Sequence, residues 1–178
     1  GLFLSFLLMF LRMESYRDYH GFLEKDHFWR RQLGFTDNPD IGNYSHFIER
    51  IGLDTFNHLF KQIVQQLITD EFLSISTIVE DGSIIPANLD DPEAAWGWDH
   101  IKKEYVYGYK LHAMVDPKTE LSTAFTITPA NIHDSQQFPN LYKTIKTYDA
   151  RFPTQFFIGD KAFDSRTIRQ MLLKDHVT

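Results

Sequence analysis

Cysteine is absent from the 178 residues. Disulfides, thiolate zinc sites and cysteine nucleophiles are therefore excluded, and the redox compartment stays open. Positive charge is also short, with 18 Lys and Arg against 24 Asp and Glu, a net −6 at pH 7. That balance argues against a globally basic nucleic-acid binder, so any DNA contact must come from local patches. The most apolar stretch, Leu2–Leu11, is about half the ~20 residues a membrane span needs. No basic residue precedes it as a secretory signal requires. It reads as the end of a buried helix beginning in mid-pattern at Gly1, in a soluble, cytoplasmic protein without a membrane partner. There is no P-loop, dinucleotide fingerprint or G-x-S-x-G elbow. The 8 histidines lack H-E-x-x-H spacing, which argues against zinc.

Apolar material is plentiful: 43% hydrophobic residues, with 16 Phe and 8 Tyr. That supplies a dense aromatic core and excludes wholesale disorder. Two regions follow from periodicity. Residues 1–73 read as a helical region for DNA binding or assembly. Ser15 caps Tyr16–Lys25, Asp26–Leu33 ends at Gly34, a helix starts at Asn43 or Ser45 and runs to about Ile51, and Gly52 closes it. Asp54 caps Thr55–Thr69, where Phe56, Leu59, Phe60, Ile63, Val64, Leu67 and Ile68 make one apolar stripe. Asp26–Leu33 and Asn43–Ile51 are expected to pair in the manner of a helix-turn-helix, with Arg30, Arg31 and Arg50 available to phosphates, or else to form a packing unit.

Residues 74–178 change to strand grammar, in the order β-β-β-α-β-α. Ile75–Glu80 and Ile84–Pro86 flank Asp81-Gly82, and Asn88–Lys103, with Trp96-Gly97-Trp98 inside it, reads as irregular. Tyr105–Val115 and Leu121–Thr128 read as a hairpin. Asp134 caps a helix to about Tyr148. Thr154–Ile158 is a strand after which Gly159 lets the backbone turn, and Asp164 caps the helix Ser165–Asp175. The fold class is therefore α/β (α+β), a mixed sheet with flanking helices. His176-Val177-Thr178 reads as the start of a further strand, leaving a sheet edge uncovered.

Asp81 closes the first strand and Asp160 the last. On neighbouring strands the two carboxylates would meet where α/β sheets bind ligands, as magnesium with its oxygen ligands requires. The alternative for Asp81 is a tight Asp-Gly hairpin. Four blocks join in order: Glu80-Asp81-Gly82-Ser83-Ile84-Ile85-Pro86-Ala87, Gly108-Tyr109-Lys110-Leu111-His112, Thr128-Pro129-Ala130-Asn131-Ile132-His133-Asp134-Ser135, and Gly159-Asp160-Lys161-Ala162-Phe163-Asp164-Ser165. In these the chain resembles the DDE transposases of bacterial insertion sequences, and Leu33-Gly34-Phe35 and Phe47-Ile48-Glu49-Arg50 look like that family's leading region.

The resemblance implies a ribonuclease-H-like domain, incomplete here, with Asp81 and Asp160 as the first two acids of the catalytic triad and as ligands of Mg2+ or Mn2+. The third acid, a helical glutamate, has no counterpart before Thr178, which implies a C-terminally truncated and inactive transposase. The implied partner is DNA, both insertion-sequence ends and target, with a homo-oligomer left open. Lys161 is a candidate phosphate contact, with a salt bridge to Asp160 or Asp164 as its alternative. Lys102, Lys103 and Lys110, interleaved with Tyr105, Tyr107 and Tyr109, would follow a DNA backbone or simply alternate on an exposed strand. His133 is a weaker candidate for touching DNA, and His112, like it, reads first as a hydrogen-bonded structural residue. The rival functions are a non-catalytic DNA-binding or assembly remnant and a metal-dependent nuclease of the same fold.

Overall fold

The Asp81-Gly82 pair lies inside a strand, not at a turn. In the computed structural model, which describes Gly1–Thr178 throughout, five strands form one mixed sheet: β1 (Thr77–Pro86), β2 (Ala95–Asp99), β3 (Glu104–Val115), β4 (Ser122–Pro129) and β5 (Phe156–Ile158). β1 pairs antiparallel with β3 along its length and parallel with β5 on its other side. β3 is long enough to carry two partners on its far side, β2 along its first half and β4 along its second. Gly82 takes no positive φ, which an Asp-Gly hairpin turn would need, so the strand runs on to Pro86.

Six helices complete the chain: α1 (Leu2–Leu11), α2 (Tyr16–Lys25), α3 (His27–Gln32), α4 (Ile41–Thr69), α5 (Asp134–Ile145) and α6 (Arg166–Lys174). The chain divides into two compact units, Gly1–Leu59 and Phe60–Thr178. In the first, Phe6, Met9, Tyr19, Leu23, Leu33 and Tyr44 form a buried cluster. Its polar centre is Ser5, whose hydroxyl meets those of Tyr19 at 3.1 Å and Tyr44 at 2.7 Å, so no buried hydroxyl there is orphaned. The caps Ser15 and Asp26 hold as the sequence reads. Gly52 does break the helix, with φ 71°, but the next helix resumes at once and the two run together as α4.

In the second unit, alternation along the strands sorts side chains onto two faces. One face is the core. Ile78, Met114 and Ala124 point into it and pack with Phe138, Leu141, Tyr142 and Ile145 of α5 and with Ile168 and Leu172 of α6. Each buried side chain of this kind contributes ~1.5–3 kcal/mol. The other, outer face carries Val79, Asp81, Ser83 and Ile85, with Leu111, Ile127, Phe156 and Ile158 alongside. Phe60 of α4 covers one part of it through an edge-on contact with Phe125, while Phe156 and Ile158 stay half-exposed. At the outer edge of β5, Thr178 donates to Gln155 O and accepts from Phe157 N, the backbone pairing expected for a parallel neighbour.

Two expectations need correction. Trp96-Gly97-Trp98 is not irregular but forms β2, because Trp96 and Trp98 pair across from Tyr107 and Tyr105 on β3, with the rings of the first pair tilted and of the second edge-on. Helix α6 is capped by Ser165, whose hydroxyl accepts from Ile168 N, while Asp164 pairs with Arg169.

A Cβ at Gly97 would collide with the backbone of Ala130. Gly97→Ala is therefore expected to lower stability by about 1–3 kcal/mol through overpacking, and to speed amide exchange in β2 more than in β1. Thermal melts with residue-resolved hydrogen exchange check this; an unchanged β2 would place the Trp strand elsewhere.

Candidate active site

The parallel pairing of β1 with β5 sets Thr77, Ile78 and Val79 beside Phe156, Phe157 and Ile158. Carried two residues further, the same register would bring Asp160, just past the carboxyl end of β5, alongside Asp81. That acid lies midway along β1 and not at its end as the sequence suggests, because β3 goes on pairing with β1 as far as Pro86. Asp81 shares the outer face with Val79, and Asp160 follows Ile158 on that face; both acids are exposed. Gly159, between Ile158 and Asp160, faces inward. A Cβ there would stand 2.7 Å from the Phe163 ring and 2.8 Å from that of Phe157. The glycine has no positive φ, so the expectation that it turns the backbone is corrected: it clears space for two aromatic rings.

Each acid is tethered by one oxygen. Asp81 Oδ1 accepts the Gly82 N–H at 2.8 Å, and Asp160 Oδ1 accepts the Ala162 N–H at 2.7 Å, which also caps a short 3₁₀ turn, Lys161–Phe163. The second oxygen of each carboxylate is left for an outside ligand.

Behind the acids, on the core face, the other motif blocks converge. Gly82 lies opposite His112 of β3, and Ile84 opposite Lys110. Asp134, the first residue of α5, reaches into the gap: its carboxylate accepts from His112 Nδ1 at 2.7 Å and from Lys110 Nζ at 3.2 Å. His112 Nε2 meets the Thr128 hydroxyl of β4 at 2.8 Å. Asp134 is therefore not a helix cap, as the sequence suggests; His133 holds that backbone position and Asp134 is spent on the sheet. Burial pushes the Asp134 carboxyl up, but the His112 hydrogen bond and the Lys110 charge outweigh it and hold the group below its ordinary range.

Glu80, which opens the first motif block without being assigned a role there, shares this inner face. It is 3% exposed, and neither carboxylate oxygen has a hydrogen-bond partner. Burial first, and the Asp134 charge second, push its pKa to about 8. The signal available in the sequence was the strand period, which puts Glu80 in line with Ile78 on the buried face.

The remaining candidates are scattered. Lys161 is exposed directly after Asp160. Lys102 and Lys103 are exposed at the β2–β3 turn; since Asp81 pairs with Ala113 on the same continuous β3, they lie roughly 30 Å away along the strand. Lys110 faces the core side, opposite to Tyr109, and its ammonium is committed to Asp134. His133 is exposed at the start of α5 and makes no capping bond with its side chain.

The model of the transposase DDE domain family matches residues 73–178. The chain belongs to that family. Two solved structures are also similar: the crystal structure of the Mos1 strand transfer complex, 11% identical with a TM-score of 0.37, and the Mos1 transposase paired-end complex with left transposon end, 12% identical with a TM-score of 0.35. Each match covers 92% of this chain, which spans 56% of the first and 57% of the second. No curated protein matches the chain. Within the DDE transposase family, the matched region is the sheet unit that carries both acids.

The buried Glu80 gives a pH signature. Its folded pKa of about 8 lies above the ordinary 4.5, so the native state holds the proton more tightly than the unfolded chain. Stability from this group is full below the unfolded value and is lost as pH rises towards 8, by a few kcal/mol. Metal-free protein is expected to melt progressively lower from pH 5 to pH 8, and Glu80→Gln to flatten that slope. An equally steep slope in the variant would assign it to another group.

Proposed function

We propose that this chain carries the catalytic core of a DNA transposase that cuts and joins insertion-sequence DNA with Mg2+ or Mn2+, with Asp81 and Asp160 as its first two acids. The single observation that supports the reading is the β1–β5 register, whose continuation by two residues brings an exposed carboxylate within β1, Asp81, towards one just past β5, Asp160. Their donor set suits a hard divalent ion: oxygen only, on an exposed face, with room left for water and phosphate. Such an ion, when bound, polarises a phosphoryl oxygen and acidifies an attached water.

The chain's own side chains then have distinct tasks. Asp81 and Asp160 offer one oxygen each while the backbone fixes the other. Lys161, next to Asp160, supplies a point charge for a phosphate. Lys102, Lys103 and His133 offer further contacts to a DNA backbone, positioning it without reading sequence. Lys110 is a poor phosphate contact, because Asp134 already holds its charge. The helical unit fits recognition of the element's ends.

Calorimetric titration with Mn2+ is expected to show binding that Asp81→Asn and Asp160→Asn each weaken by at least about tenfold. Binding indifferent to both substitutions would remove the acid pair from the function. No group of three or more His, Asp or Glu side chains is arranged to hold a metal ion, and a two-ion centre needs further carboxylate to share its charge. With supercoiled DNA and Mg2+ or Mn2+, these 178 residues alone are therefore expected to nick no faster than their Asp160→Ala variant. Nicking that depends on Asp160 would mean that another residue in this stretch completes the centre.

A further inference from the structure

Three of the four motif blocks meet at one point on the core face behind Asp81. A Cβ on Gly82 would collide with Asp134 Oδ1 and would stand 3.4 Å from the Lys110 side chain. Only glycine lets the Asp134 carboxylate rest against the β1 backbone there. The carboxylate is fixed from two sides, by His112 at 2.7 Å and Lys110 at 3.2 Å, and His112, fully buried, is fixed in turn by Thr128 at 2.8 Å. The chain of contacts runs from β4 through β3 and the first residue of α5 to β1.

It ends on the one amide that the candidate metal ligand reads directly, since the Gly82 N–H donates to Asp81 Oδ1 at 2.8 Å. A shift of the Gly82 backbone therefore moves the hydrogen bond that orients Asp81 on the opposite face. Groups that orient a metal ligand are ordinarily worth ten- to a hundredfold in metal affinity.

From this geometry we infer that Asp134, clamped by His112 and Lys110 against Gly82, is a positioning residue that orients Asp81 through the Gly82 amide. The inference rests on the acid-pair reading for its consequence, metal binding, but not for its geometry. A buried ion-paired cluster that only stabilised the sheet would be replaceable without effect on the far face. A positioning cluster would not.

The test uses the full chain with Asp134→Ala and Asp134→Asn, the second keeping the shape and an acceptor for His112. Without metal, Asp134→Ala is expected to displace the Asp81 carboxyl-carbon resonance and to speed exchange of the Gly82 amide, while resonances of residues 1–59 stay in place. Mn2+ affinity is expected to fall about tenfold, with Asp134→Asn restoring most of both. A folded Asp134→Ala chain in which the Asp81 resonance and the Gly82 amide are unchanged overturns the inference, as does loss of the fold in both variants, which would make Asp134 merely structural. If the unsubstituted chain binds no Mn2+ while Asp134→Ala still displaces Asp81, the positioning role stands and the metal reading fails instead.

Discussion

The parallel pairing of β1 with β5 is the constraint on which the rest depends. Parallel neighbours cannot be joined by a tight turn. The chain must leave β1, build the antiparallel β2–β3–β4 segment, and return across the sheet through α5 before β5 can dock. That return is held by apolar packing on one face: Phe138 meets Phe157 edge-on at 4.9 Å between ring centres, and Phe157 meets Phe163 at 5.7 Å. Remove that packing and β5 has no reason to lie beside β1. The two acids are then only two carboxylates far apart in sequence, with no site between them.

The glycines beside the acids show how closely the two faces are coupled. Gly82 follows Asp81 and Gly159 precedes Asp160, and neither glycine uses its freedom to take positive φ. Each is small because the core face behind it is full, with an ion pair at Gly82 and two aromatic rings at Gly159. The outer face, where chemistry is proposed, stays wet and sparsely packed, while the inner face fixes the backbone that presents the acids. Burying Lys110, His112 and Asp134 together is costly in desolvation, and their mutual hydrogen bonds offset it. Glu80 has no such compensation and is held as a neutral acid over most of the physiological range, next to a charge it would otherwise repel.

The transposase DDE domain assignment fits this division. The matched region begins as β1 is about to start, and includes every strand. Both acids fall within it, Asp81 inside β1 and Asp160 just past β5. The helical unit has its own core, centred on Ser5, Tyr19 and Tyr44.

What the sequence determined by itself was local. Caps at Ser15 and Asp26, the β3–β4 hairpin, the α-then-β order and most of the apolar stripe of the long helix, from which Ile63 departs by facing solvent, were legible, because each depends on residues within a few positions of one another. The motif blocks also marked Asp81 and Asp160, though not their relative placement. Tertiary structure alone decided the rest. Asp-Gly runs on as strand because β3 pairs with it on both sides of the glycine. Trp-Gly-Trp becomes a strand because tyrosines across the sheet receive it. Asp134 leaves the cap position because Lys110 and His112, 24 and 22 residues back in the chain, wait on β3. Those outcomes turn on partners distant in sequence, whose attraction exists only once the sheet has brought them within hydrogen-bonding reach.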